Sequence, residues 1–161
     1  MENFNYTSGQ KTGLILLRLL IGWHFLYEGV IKLYNPSWTS KGYLLSAEFL
    51  KPMFAWMASD SLIGVIDTLN IAALVLIGVS LILGLKTGWA AIGGMVLLAF
   101  YYLAHPPFGA IPQGPVEGSY WIVNKNLVEL AALYVIYQFP TSALFGLEIF
   151  LRKEKLSPLT K

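Results

Sequence analysis

Residues 13–34, GLILLRLLIGWHFLYEGVIKLY, form one apolar stretch that carries four ionisable side chains, Arg18, His24, Glu28 and Lys32. The stretch is long enough to cross a bilayer, at about 1.5 Å per helical residue against a hydrocarbon core of roughly 30 Å. A charge near the centre of such a helix costs about 2.5–3.5 kcal/mol on insertion scales. It is tolerated only where a partner, a water-filled cavity or a ligand compensates it. At about 100° per residue, His24, Glu28 and Lys32 share one i, i+4 stripe, with Arg18 on its flank. Leu16, Leu20, Trp23 and Tyr27 take the opposite side. The segment reads as a membrane helix with a polar seam, and the seam is the first candidate for function.

The rest of the chain fits a membrane setting. Of its 161 residues, 56% are hydrophobic and 12% charged, with a mean hydropathy of +0.61. An integral membrane protein in contact with the lipid bilayer is expected. The tail MENFNYTSGQK is polar and no small-residue cleavage site follows a short apolar core, so no cleavable leader is expected. Without cysteine, the chain itself has no thiol redox chemistry, disulfide or cysteine-ligated cluster. A dispersed net charge of +2 gives no basis for binding nucleic acid.

Four apolar segments predict an all-α polytopic fold. The expectation is a single membrane domain over 1–161, an antiparallel four-transmembrane-helix bundle with helices at about 13–34, 61–85, 87–105 and 127–151. The second helix has two candidate starts, Ser61 and Thr68. Pro140 interrupts the fourth, since it lacks a backbone N–H. Because ALFGLEIFL beyond it stays apolar, a kink with the helix resuming is expected. Only Leu85–Gly88 joins the second and third helices, which predicts a tight hairpin. The long loop 35–60 contains YLLSAEFL and KPMFAWMA, too short to span, which lie along the surface or fold over the bundle as a lid. Residues 106–126 form a Pro- and Gly-rich loop after the third helix.

Basic residues set the expected orientation. Lys11, Lys86, Arg152, Lys153, Lys155 and Lys161 fall on one side, and Lys41, Lys51 and Lys125 on the other. The positive-inside rule then puts both termini in the cytoplasm, in a bacterial inner membrane. With that orientation, His24, Glu28 and Lys32 lie in the outer half of the first helix. Asp67 and Asn70 open the second, His105 closes the third, and Asn124, Lys125, Asn126 and Glu129 introduce the fourth. Polar residues of all four helices thus converge on one leaflet, while Arg18 lies toward the other. Each has a structural alternative: Lys32 and Arg18 can snorkel to opposite interfaces, and Glu28 can pair with Lys32 at i+4. His24 can hydrogen-bond across helices, Glu129 can pair with Lys125, and His105 can sit at a helix end, where Pro106 disfavours further helix. Asn70, Asn124 and Asn126 suit interhelical bonds.

His24 and His105 with Glu28 and Glu129 are metal-ligand types, but no close spacing such as HExxH accompanies them, and no metal is assigned. Nor is there a haem, flavin or iron–sulfur motif. Aromatic residues are abundant, with 9 Tyr, 9 Phe and 5 Trp. Most suit interface anchoring or packing. Those near the polar cluster, Tyr101 and Trp121 among them, could stack on a flat apolar ring. Apolar walls, hydrogen-bond donors and ionisable groups at membrane depth are what a quinone site needs.

The segment LLRLLIGWHFLYEGVIKLYNP resembles the first helix of the DoxX/DoxD-type membrane proteins, with an arginine, a Gly-containing helix and a closing G-x-x-K-L element. NIAALVLIGVSLILGLKTGWAAIGGMVLLAFYYLAH is similar to that family's central hairpin, and SYWIVNKNLVELAALYVIY to its last helix, introduced by a K-N-L element. The family comprises small four-helix proteins and includes a subunit of thiosulfate:quinone oxidoreductase. The resemblance implies a role associated with a membrane oxidoreductase, with electrons passing to quinone, and Arg18, Glu28, Lys32 and Asn126 as shared positions. Lacking cysteine, the chain would rely on a soluble or membrane redox partner subunit for any thiol chemistry.

Three readings follow. The first is a membrane protein with a polar pocket in the outer leaflet for a quinone-like amphiphile, supporting electron transfer in a redox complex. In it Glu28 and His24 exchange protons, while Arg18, Lys32, Asn70, Tyr101, His105, Trp121, Asn126 and Glu129 bind the ligand. Lys32 and Asn126 meet ring oxygens, and Tyr101 or Trp121 packs on the ring. The second is a small-solute transporter or permease, which with four helices would need a homo-oligomer. The third is a non-catalytic accessory scaffold whose ion pairs set helix register.

Overall fold

The computed structural model describes residues 6–108 and 119–149. The first helix, α1 (Ser8–Leu33), starts before the apolar stretch because Thr7 and Gln10 close a capping box. The Thr7 amide donates to Gln10 Oε1 at 2.9 Å and the Gln10 amide to Thr7 Oγ1 at 3.3 Å. Two short helices follow, α2 (Lys41–Leu45) and α3 (Lys51–Met57). The second long helix, α4 (Ile63–Leu83), ends on Gly84, whose φ of +67° suits a residue without a Cβ. Leu85 N then donates to Ser80 O at 3.0 Å, and α5 (Thr87–Ala104) begins at once, giving the expected tight hairpin.

Three of these helices, α1, α4 and α5, are long and apolar enough to cross a membrane. The fourth apolar segment departs from expectation. Its helix, α6 (Lys125–Gln138), has 14 residues, about 21 Å of rise, which is short of a hydrocarbon core. The helix breaks at Pro140 over a longer stretch than a kink, and helical residues return only at 148 and 149. Phe139 sits at φ −118°, ψ 73°, extended-side geometry favoured before proline. The following residues fold as turns, with the Leu144 and Phe145 amides donating to Thr141 O. Leu147 N then donates to Leu83 O at 2.9 Å, laying this segment on the α4–α5 turn. Residues 150 and 151, at the end of the expected span, lie outside the described residues.

The helices pack in a ring, α1 on α4, α4 on α5, α5 on α6 and α6 back on α1, the last seam being the least extensive. All four contribute to the core: Ile21 and Phe25, Leu74 and Leu81, Ala91 and Leu98, Leu133 and Ile136. The α1–α4 approach is close because glycine stands at the crossing. A Cβ on Gly78 would lie 2.5 Å from the Leu26 amide nitrogen, and one on Gly29 would lie 2.7 Å from Val75 Cγ2. Small residues allow this dispersion-driven packing where lipid removes the hydrophobic drive.

The 35–60 segment forms a lid over one end of the bundle. Leu44, Ala47, Phe54 and Ala58 make a second small core against Ala104, with Ile63 and Ile66 beside it. Glu48 N donates to Ala104 O at 2.7 Å, and Lys41 pairs with Asp60. In the loop after α5, β1 (Ser119–Tyr120) and β2 (Val123–Asn124) pair as a two-residue antiparallel ribbon turning at Trp121, φ 60°. This is a small departure from an all-α chain. Residues 109–118 lie outside the described residues, as do Arg152, Lys153, Lys155 and Lys161.

Candidate functional site

A cavity of about 310 Å³ opens at the lid end of the bundle, where α1 and α5 finish and α4 and α6 begin. Every element around it contributes. From the α1 stripe come His24, Glu28 and Lys32, from α4 Asn70 and Leu74, and from α5 Leu98 and Tyr101. The start of α6 adds Lys125, Asn126 and Glu129, held by Asn124 as N-cap, whose Oδ1 accepts from Leu127 N at 3.0 Å. Trp38, Thr39, Ser40 and Tyr43 roof it from the lid, and Phe25 completes the apolar wall.

Two charged pairs organise the polar side. His24 Nδ1–H donates to Glu129 Oε1 at 2.6 Å, a bond between α1 and α6. Lys32 Nζ donates to the carboxylate of Glu28 and, at 3.0 Å, to the Glu28 carbonyl, so the i+4 pair forms within α1. The same ammonium lies 5.6 Å from the Trp38 ring centroid, a cation–π contact that ties the lid to the helix. Lys125 lines the cavity without a hydrogen-bond or ion-pair partner among the described residues, and the Asn126 side chain likewise makes no hydrogen bond there.

Neutral bonds fix the opposite wall. Tyr101 Oη donates to Asn70 Oδ1 at 2.6 Å, and Tyr43 Oη donates to Tyr101 O at 3.1 Å. Burial pushes the Tyr43 phenol up to about 12, so it stays a donor at any ordinary pH. His105 Nε2–H donates to Tyr43 O at 3.1 Å with its ring edge against the Tyr43 ring, 4.4 Å between centroids. Ser40 donates to Asp67 Oδ1 through both its amide, at 2.9 Å, and its hydroxyl. The lid is therefore pinned to α4 by Asp67, to α1 by Lys32 and to α5 by Tyr43.

Seven of the residues singled out from the sequence meet in this cavity: His24, Glu28, Lys32, Asn70, Tyr101, Asn126 and Glu129. His105 stands one residue behind it, through Tyr43. Trp121 does not line it and is 64% exposed at the ribbon turn. Arg18 is at the other end of the bundle. It does not snorkel: it is fully buried, with Nη1 donating to Thr141 Oγ1 at 2.9 Å and Nη2 to Phe145 O at 2.7 Å. Lys32 is likewise held within the protein rather than reaching for the interface, and Glu129 chooses His24 over Lys125. Trp38, Ser40 and Tyr43 escaped the sequence reading as site residues, because an irregular loop has no period that assigns its side chains to a face. Among the described residues no group of three His, Asp or Glu side chains is placed to hold a metal ion.

The DoxX family model matches residues 13–106, more than half of the chain. The chain belongs to the DoxX family. The match runs from the start of the apolar stretch in α1 to Pro106, just after α5, and so includes the lid and its anchors. The α6 side of the DoxX site, with Lys125, Asn126 and Glu129, lies beyond it. Neither the curated proteins nor the solved structures yield a match. The family and the three apolar helices make this DoxX protein an integral membrane protein.

Proposed function

We propose that this DoxX protein binds a quinone-like amphiphile in the cavity under the lid and supports electron transfer in a redox complex of a bacterial inner membrane, with both termini cytoplasmic. The observation that carries this reading is the division of the cavity walls. From α4 and α5 come Leu74, Leu98 and the Tyr101 ring, joined by Phe25 as apolar lining, while α1 and α6 supply His24, Glu28, Lys32, Lys125, Asn126 and Glu129. A flat ring with polar substituents matches that division, and the volume falls at the lower end of small-molecule sites, about 300–1,000 Å³. Lys125 and Asn126, with donors not engaged by the described residues, are suited to ring oxygens. Lys32, by contrast, is engaged by Glu28 and Trp38 and holds the lid. The weakest seam, between α1 and α6, gives a ligand dissolved in the bilayer its access.

The chain carries no haem, flavin or iron–sulfur motif and no cysteine, so electrons come from a partner subunit. A solute path is less well supported. Below the cavity, Leu81, Ala91 and Leu133 are fully buried and Ile136 is 2% exposed, which favours a closed-ended binding site over a channel.

The test is the quinone content of protein purified in native nanodiscs, extracted and chromatographed. Near-stoichiometric quinone, reduced severalfold in Glu28→Gln and in Lys125→Gln, supports the reading. Quinone at the level of bulk lipid in the wild type overturns it.

A further inference from the structure

We propose that the cavity takes its ligand in a hydroxylated form, an amphiphile with a phenolic O–H, and that the His24–Glu129 pair accepts the phenol proton while Lys125 faces the phenolate. This rests on the cavity reading above and specifies the ligand class and the groups that handle its proton.

Glu28 and Glu129 are the two carboxylates in the cavity, and they are not equivalent. Glu28 is held by Lys32, so its negative charge is already matched within α1. Glu129 instead accepts from His24 Nδ1–H, which fixes the imidazole as the tautomer with a basic Nε2. That Nε2 has no partner among the described residues, and His24 lines the cavity. A carboxylate behind an imidazole is the arrangement that lets histidine take a proton and stabilises the imidazolium that results. A carbonyl-only ligand would require donors alone and leave this base without work.

The charges around His24 close the argument. Glu129 and Lys125 come from α6, and Glu28 with Lys32 from α1; α4 and α5 present the neutral Asn70 and Tyr101, and the lid the neutral Tyr43. The Glu28–Lys32 pair is self-compensated, which leaves Glu129 and Lys125 to be used. Transfer breaks the ligand O–H bond and forms N–H at Nε2, so the net charge of the site is unchanged. The imidazolium then pairs with Glu129 and the phenolate with Lys125.

The experiment uses full-length protein in nanodiscs and 2-decyl-4-nitrophenol, whose phenolate absorbs in the visible. Absorbance is followed against pH, with empty nanodiscs as reference. The acid dissociation constant of the bound probe is expected to rise at least about tenfold, as a nearby opposite charge produces. Glu129→Gln, His24→Gln and Lys125→Gln should each bind the probe with most of that rise lost. Binding of the probe by the wild type with its ionisation unchanged overturns the proton-accepting role while leaving the cavity reading standing, and needs no variant to fold. Failure of the wild type to bind the probe while retaining quinone overturns the hydroxylated ligand class alone. Failure to hold either compound overturns both.

Discussion

Arg18 Nη2 donates at 2.7 Å to the carbonyl of Phe145, a residue 127 positions away, and Nη1 donates to Thr141 Oγ1. The guanidinium thus occupies acceptors that lie beyond the end of α6, in the segment that departs from helix after Pro140. A buried arginine is suited to this, since its charge remains within reach of several oxygens in a fixed fork. Replacing it by Met should cost about 3 kcal/mol, two charge-assisted bonds at the low end of their range. Thermal unfolding in detergent reads the loss. Chymotryptic cleavage at Phe145 should accelerate in parallel, while quinone retention at the far end stays near the wild-type level. Unchanged cleavage would mean that Arg18 does not hold this segment.

Gly78 and Gly64 lie on the same helix and should respond in opposite directions. A Cβ at Gly78 meets the α1 backbone at Leu26, and backbone cannot swing aside as a side chain does. Gly78→Ala should destabilise by about 1–3 kcal/mol, the usual cost of overpacking. Gly64 has nothing within 4 Å of a Cβ, so Gly64→Ala should be neutral or stabilise by up to about 1 kcal/mol through helix propensity. Denaturation of both variants checks the pair. Equal effects would refute the close crossing.

Trp38 couples the lid to the site through Lys32. Trp38→Ala should weaken binding of a short-chain quinone about threefold, corresponding to a cation–π contact of roughly 0.5–1 kcal/mol, without lowering thermal stability comparably. The expected signature is a faster off-rate at a similar on-rate, because the aromatic roof is lost and the cavity floor is not. A titration indistinguishable from wild type would remove Trp38 from the site.

Alkaline stability should carry the mark of Tyr43. Its phenol is raised from the ordinary value of 10.0 to about 12, so the folded protein holds that proton more tightly than the unfolded chain. The stabilisation is therefore fully present below pH 10 and lost as pH rises toward about 12. Tyr43→Phe should show a flatter decline in that window, although it lacks the bond to Tyr101 O. Identical slopes for the two proteins between pH 10 and 12 would disprove the burial of this hydroxyl.

The long helices and the polar stripe of α1 were legible because helical periodicity and apolar length are local properties of a sequence. His24, Glu28 and Lys32 had to share a face once the segment was helical. The convergence of Asn70, Tyr101, Asn126 and Glu129 on that face followed from the alternation of helix direction. The lid was legible as a segment too short to span, but not as side chains, since Trp38, Ser40 and Tyr43 are positioned by individual tertiary contacts to α1, α4 and α5. What was not legible in the fourth apolar segment is the run of turns over 141–147, before helical residues return at 148. Apolar composition alone could not reveal that the turn segment would find its hydrogen bonds on Arg18 and the Leu83–Gly84 carbonyls.

By itself, the sequence determined that this chain enters a membrane with ionisable groups in it, and that those groups must be compensated. Which partner compensates each was decided only by tertiary structure. Glu129 had Lys125 one turn away on its own helix and is bonded instead to His24 on another. Among the described residues Arg18 meets no carboxylate and takes a hydroxyl and a carbonyl. The physical reason is that a hydrogen bond depends on distances of a few tenths of an ångström between side chains far apart in sequence. Those distances are set by helix crossings, here by the glycines that let α1 and α4 approach, and not by the spacing of the residues along the chain.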